Sequence, residues 1–233
     1  MAEPTRHFEA RDLGRIPYTQ AYALQVQARD RLLAARQSGA EPLPMTAFVL
    51  EHDPPVITVT KRDSARQNVL MPPERLAELG IELCETDRGG DVTYHGPGQI
   101  VLYAILDLQA LGIGVRQYMH LLEETVIRTI ATWGIKGQRD PDGATGVWVG
   151  SADHPSSLAK ICAMGVRVSK WVTMHGLALN VTTNLNHFQA IVPCGLIGRP
   201  VTSLQHLLGP ENTPGIDHVK SVLVQQLDAA LRR

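Results

Sequence analysis

Arg88-Gly89-Gly90-Asp91-Val92-Thr93-Tyr94-His95-Gly96-Pro97-Gly98-Gln99 runs without a break into Ile100-Val101-Leu102-Tyr103-Ala104-Ile105-Leu106. The second part is apolar almost throughout and reads as a strand buried on both faces. The first part holds four glycines and one proline in twelve residues, interleaved with Arg, Asp, Thr, Tyr, His and Gln. Glycine lets a backbone turn sharply or approach another group closely. A loop that only turned would not need so many hydrogen-bonding side chains. The plain alternative is a polar hairpin between Ile81–Glu85 and Ile100–Leu108. Binding residues, however, are commonly held on loops seated on a rigid scaffold. The loop is therefore expected to wall an active site.

Around this centre lies an ordinary globular chain of 233 residues, 44% hydrophobic and 19% charged. That is too apolar for disorder, and a net charge of −1 gives no electrostatic case for nucleic acid or an anionic membrane. The N-terminal residues lack the pattern of a signal peptide, and no apolar run approaches a bilayer span. Cys84, Cys162 and Cys194 are widely spaced, without a Cys-x-x-Cys. They exclude a disulfide framework, argue against a zinc site and fit the cytoplasm. No repeat or linker divides the chain, so one domain over 1–233 is expected.

Outward from the loop, the pattern predicts a helix over Tyr18–Gln37, entered at Pro17 and stopped by Gly39. Arg29, Asp30, Arg31 and Arg36 read as its solvated face. Two β-rich runs, Ala47–Leu50 and Val56–Thr60, flank His52-Asp53-Pro54-Pro55, a hairpin or tight corner in which His52 could also face the site. Arg62–Leu70 reads as loop, Pro73–Leu79 as a short helix, and Ile81–Glu85 as a strand in which Cys84 is a small buried hydrophobe. Val115–Trp133 has the spacing of an amphipathic helix. Val147–Val149 is a short strand and Gly150–Leu158 a surface loop. Lys160–Val168 and Val172–Val181 are antiparallel candidates joined through Ser169-Lys170-Trp171, and Val219–Leu231 is a closing helix.

Two further residues invite chemistry. Cys194 sits between Pro193 and Gly195, in a bend rather than inside a regular element. A nucleophilic cysteine acts as thiolate and needs an activator nearby, whereas most lone cysteines are inert; the turn leaves both readings open. Lys160 opens the apolar strand Ile161-Cys162-Ala163-Met164-Gly165-Val166, in which Cys162 reads as packing. A lysine there is either desolvated into a base or, more simply, a surface lysine ending a strand.

Four stretches together resemble the octanoyl transferase (lipoyl(octanoyl) transferase) family of lipoate biosynthesis. They are Arg88–Gln99, Lys160-Ile161 with Gly165, His175-Gly176-Leu177-Ala178-Leu179-Asn180-Val181, and Pro193-Cys194-Gly195. Val201–Leu204 extends the match, and the family commonly has glycine where this chain has Thr60. The resemblance implies an α/β (α+β) fold, a mixed and mostly antiparallel sheet flanked by helices, similar to the catalytic domain of biotin/lipoate protein ligases. It implies transfer of octanoyl from acyl carrier protein to a lysine ε-amine on lipoyl domains of 2-oxoacid dehydrogenases and the glycine-cleavage H protein. Cys194 would carry the acyl group as a thioester, Lys160 would activate it, and His95 would orient groups or share proton transfer. Substrate contacts would come from Arg88, Gly89, Gly90, Asp91, Val92, Thr93, Tyr94 and His95, from Ala163, Met164 and Gly165, and from Gly176, Leu177 and Ala178. Because the donor arrives activated, no cofactor, ATP or metal is implied. The competing readings are an ATP-dependent lipoate-protein ligase of the same fold, a thioesterase, and a non-catalytic acyl-carrier or lipoyl-domain binding protein.

Overall fold

The Ile100–Leu106 run lies near the middle of the larger of two sheets in the computed structural model, which describes residues 8–39, 41, 43–151, 154, 157–192 and 199–232. In chain order the elements are β1 (Phe8–Ile16), α1 (Tyr18–Ser38), β2 (Met45–His52), β3 (Val56–Thr60), α2 (Asp63–Gln67) and α3 (Pro73–Glu78). Next come β4 (Glu82–Thr86), β5 (Val92–His95), β6 (Gln99–Ile105), α4 (Leu108–Leu111), α5 (Val115–Ala131) and β7 (Gly137–Gln138). The last are β8 (Val147–Val149), β9 (Ala159–Ser169), β10 (Val172–Asn180), α6 (Leu204–Leu208) and α7 (Ile216–Leu231).

The larger sheet has seven strands in the order β1-β2-β6-β10-β9-β8-β7, parallel only between β1 and β2. The smaller has the order β4-β3-β5, with β3 parallel to β4 and antiparallel to β5. The mixed, mostly antiparallel architecture flanked by helices is therefore as expected.

Alternation along β6 divides the core. Ile100, Leu102 and Ala104 face α5 and α7, where Tyr118, Leu122, Val126, Val219, Leu223 and Leu227 close over them. Val101, Tyr103 and Ile105 face α1, against Ala21 and Leu32. Full burial contributes roughly 2 kcal/mol for each large aliphatic side chain, so a strand covered on both sides is the natural anchor for its loops. Helix α1 ends as its sequence predicts: Gly39 is left-handed (φ 65°) and its N–H bonds the Ala35 carbonyl.

Several expectations change. The plain alternative for Arg88–Gln99, a hairpin, does not hold, because β4 and β6 belong to different sheets and Val92–His95 pairs with β3. His52–Pro55 likewise turns the chain from one sheet to the other, so it is a corner, with a cis Asp53–Pro54 peptide. Within Arg62–Leu70 a short helix forms at α2, where Ala65 alone is buried among the described side chains and no apolar periodicity could show it. β1 was also hidden, because its side chains are half-buried or exposed and its pairing with β2 is a main-chain interaction. Arg36 is not merely solvated: it bonds the Asp107 carboxylate at 3.2 Å and the Lys170 carbonyl at 2.6 Å. Cys84 is only half-buried. The Gly150–Leu158 loop lies partly outside the described residues, and Pro193-Cys194-Gly195 lies wholly outside them.

Candidate active site

A narrow cleft opens between the β9–β10 pair and β5. Its walls include Arg88, Thr93, His95, Lys160, Ala163, Met164, Gly165, Gly176, Leu177 and Ala178, all anticipated from the sequence. Strand alternation explains which residues of the central loop arrive there. Successive side chains point to opposite faces, so Thr93 and His95 turn to the cleft. Val92 and Tyr94 turn away, into a separate core with Ile57, Val59 and Phe188. The Tyr94 hydroxyl bonds His187 Nδ1 at 2.8 Å. Asp91 likewise stands outside the cleft lining: its carboxylate reaches Arg62 at 3.3 Å, and its carbonyl accepts the Thr60 N–H at 2.9 Å. Gly90 turns the loop with φ 84°.

Small residues bring the two walls together. Gly165 pairs with Gly176, and Ala163 with Ala178. The Gly89 N–H bonds the Val166 carbonyl at 2.9 Å, and a Cβ on Gly165 would come within 2.7 Å of the Gly89 carbonyl. A Cβ on Gly176 would meet the Leu102 carbonyl at 2.1 Å, which only glycine avoids. The preceding residue, His175, takes a left-handed φ of 61°. Its N–H is held by Gln25 Oε1 at 2.8 Å, from a fully buried side chain on α1.

Lys160 is not a surface lysine. It is only 8% exposed, and its ammonium lies 4.5 Å from the centroid of the Trp148 ring. Its main chain is braced on both sides, the N–H by Pro200 O and the carbonyl by Thr202 N–H, each at 2.9 Å. Arg199 stands 5.0 Å from the same ring centroid and bonds Asp140 and Asp142 at 2.6 Å each. The described chain therefore resumes after the cysteine-bearing segment at an anchored residue beside the lysine. The other two thiols are poorly suited to attack. Cys162 is fully buried, and burial pushes its thiol up to about 12. Cys84 is also raised, by burial first and then by Glu82.

Tyr18, His95, Tyr103 and His175 line the cleft, and His52 packs its ring against Tyr18, His95 and Tyr103. Burial lowers His52 to about 4, partly offset by its bond to the Ile16 carbonyl. His175 falls to about 3, through burial and then the charges of Arg88 and Arg167. His95 lies well below the usual range, through burial and then His52. All three are neutral at working pH. His52 Nδ1 is 3.1 Å from the Ile16 carbonyl, which can only accept, so Nδ1 carries the proton and Nε2 accepts from the Tyr103 hydroxyl at 2.7 Å. His175 Nε2 donates to Asp87 at 2.9 Å, a carboxylate that also receives Tyr22 OH and Arg167. Arg88 is spread over Thr58 and the Gly89 carbonyl at 2.9–3.2 Å.

Tyr18, Tyr103 and His175 line the cleft without having been singled out as site residues. Tyr103 left a signal: a phenol in an aliphatic strand needs a partner for its hydroxyl. His175 lay inside a quoted motif, while Tyr18, bonded to Thr86 at 2.6 Å, gave no local sign. Thr60 is buried at 6% exposure, and its hydroxyl has no hydrogen-bond partner among the described residues.

A buried lysine, a neutral imidazole and a narrow cleft with small residues along its β9–β10 wall suit acyl transfer with proton movement. The chain matches the lipoyl protein ligase A/B catalytic domain over residues 21–228. It is 45% identical to an octanoyltransferase of Bacteroides fragilis, over 93% of this chain and 94% of the relative. With an octanoyltransferase of Parabacteroides distasonis the identity is 46%, over 87% and 89%. Among solved structures it is similar to a bi-partite lipoate protein ligase of Thermoplasma acidophilum, with TM-score 0.68 and 17% identity over 97% of this chain and 85% of that one. Lipoate-protein ligase A bound with ATP gives TM-score 0.69 and 16% identity over 97% and 86%. At these identities the structural likeness speaks for the fold alone.

Proposed function

The chain belongs to the lipoyl protein ligase A/B catalytic domain family and, within it, to the octanoyltransferases; from that premise we propose that it moves octanoyl from octanoyl-acyl carrier protein to a lipoyl-domain lysine through a thioester on Cys194. The enzyme is an acyltransferase, and the chain acts as one catalytic domain. Acceptors in this reading are the lipoyl domains of 2-oxoacid dehydrogenases and the glycine-cleavage H protein. The setting is the cytoplasm; no helix among the described residues is long and apolar enough to cross a membrane.

In the first half-reaction Cys194 Sγ attacks the donor thioester carbonyl. The new C–S bond forms as the bond to the carrier breaks, and the carrier thiolate leaves to take up the cysteine's proton. A free thiol is mostly protonated at neutral pH, so the Lys160 ammonium supports the reaction by favouring the thiolate. In the second half-reaction the acceptor amine attacks the octanoyl-Cys194 carbonyl and the C–S bond breaks. The amide keeps one N–H, and the single proton lost by the nitrogen passes through Lys160 or His95 to the departing sulfur. Main-chain N–H groups of the cleft wall stabilise the oxyanion at both stages.

The observation that carries this reading is the burial of Lys160 in the cleft that also receives His95 and Arg88. A ligation chemistry with ATP would not require a nucleophilic cysteine. The test is intact-mass analysis after incubation with octanoyl-acyl carrier protein, in EDTA and without nucleotide. One hydroxylamine-labile octanoyl group on Cys194 is expected. Dependence on ATP and Mg²⁺, or a label on Cys84 or Cys162, overturns the reading.

A further inference from the structure

On that reading of the reaction, we infer that Gln99 is a positioning residue for His95: with Asn180 and the Thr202 carbonyl, it decides which ring nitrogen of His95 carries the proton. His95 Nδ1 lies 2.8 Å from Gln99 Oε1. Gln99 Nε2 lies 2.9 Å from Asn180 Oδ1 and 3.2 Å from the Tyr94 carbonyl. Asn180 Nδ2 lies 3.0 Å from the Thr202 carbonyl. Every member is buried, from 6% exposure at His95 to 1% at Gln99.

A main-chain carbonyl can only accept a hydrogen bond. Thr202 therefore draws the amide nitrogen of Asn180 and turns Oδ1 toward Gln99. The Tyr94 carbonyl independently demands the nitrogen of Gln99. Two obligate acceptors thus agree that Oε1 of Gln99 faces His95, so His95 Nδ1 is the donor. In a neutral imidazole the other nitrogen, Nε2, then holds a lone pair. Nε2 is the ring nitrogen left to the cleft that His95 lines.

That assignment limits the chemistry. His95 enters the reaction able to accept a proton from a thiol or an incoming amine. It cannot begin as an oxyanion donor through Nε2. The partner also matters in kind, since a carboxylate at position 99 would favour imidazolium whereas an amide does not. The other groups facing the ring agree: His52 from β2, His175 from β10 and Arg88 from the β4–β5 connection are neutral or cationic. Tyr103 of β6 and Tyr18 of α1 are phenols whose ionisation burial suppresses. The same run of chain serves both polar walls, because the Thr202 N–H bonds the Lys160 carbonyl.

The test is ¹⁵N-histidine NMR on the full chain, with steady-state kinetics, for the wild type, Gln99→Glu and Gln99→Leu. Wild-type His95 should show a protonated Nδ1 and a bare Nε2 across the neutral range. Gln99→Glu should keep Nδ1–H but raise the pH at which the ring takes up a second proton, adding an ionisation to the pH–kcat profile. Gln99→Leu should mix the tautomers and lower kcat on the order of 100-fold with KM little changed. A wild-type ring protonated at Nε2, or a folded Gln99→Leu protein with unchanged tautomer and pH profile, overturns the inference. If the expected tautomer is seen but no octanoyl moves, Gln99 still sets the ring, and the failure belongs to the proposed reaction.

Discussion

Lys160 presents its ammonium to the Trp148 ring at 4.5 Å from the centroid, and Trp148 is itself fully buried, with its indole N–H directed at the Ala144 carbonyl. A cation over a desolvated indole gains about 1–2 kcal/mol. The ring therefore favours the charged lysine over the neutral one, and with it the thiolate that the proposed mechanism needs. Trp148→Leu should move the pH midpoint of Cys194 alkylation up, while Trp148→Phe moves it less. A leucine variant that folds and keeps the wild-type midpoint would reduce the ring to packing.

Lys160 itself separates two roles. Lys160→Ala should leave the fold standing but slow both acylation of Cys194 and release to the amine by roughly 100-fold or more, as expected for a lost general base. Lys160→Arg keeps the charge but cannot surrender a proton at working pH, so it should rescue acylation better than release. Single-turnover rates of each half-reaction decide this. Equal rates for arginine and wild type in both steps would restrict Lys160 to electrostatics.

The thiols should react very unequally. Cys162 is buried with its thiol raised to about 12, and Cys84 is raised as well. Brief alkylation of the native protein at neutral pH, read by peptide mapping, should label Cys194 first. Labelling of Cys162 in folded protein would contradict the burial that sets its ionisation.

Acid should destabilise the fold through its neutral histidines. His52 and His175 have folded-state values of about 4 and about 3, below the ordinary 6.5. Above 6.5 they are neutral in both folded and unfolded chains and leave stability independent of pH. As pH falls below 6.5 the unfolded chain takes up protons that the folded one refuses, so stability falls. Each histidine costs about 1.4 kcal/mol per pH unit until its folded value is reached. Denaturant midpoints measured from pH 7 downward should decline on that slope, and His52→Gln should flatten it. An unchanged slope in that variant would mean that His52 does not resist protonation.

Much of the scaffold was legible because local patterns report which face of an element is apolar. The unbroken run at β6, the helical spacing of α5 and the Pro17 and Gly39 boundaries of α1 each reflect a burial or backbone requirement met within a few residues. β1 and α2 escaped because they rest on main-chain pairing or, among the described side chains, on one buried alanine, neither of which leaves a periodic trace.

The sequence by itself determined the chemical inventory of the site: the glycine-rich loop, the strand-opening lysine, the His-Gly stretch and the cysteine in its turn, which together pointed to one family. Tertiary structure decided which of these groups meet and in what protonation state. Pairing of β5 with β3 sent Thr93 and His95 to the cleft and Val92 and Tyr94 into a core. Trp148 and the Pro200–Thr202 main chain made a buried group of a lysine whose neighbours suggested a surface one. His175 met its Asp87 partner across 88 residues of chain, and Gln99 met Asn180 across 81. Periodicity is a local property, whereas a hydrogen bond between distant residues depends on the register of several strands at once. That register exists only when the whole sheet has formed.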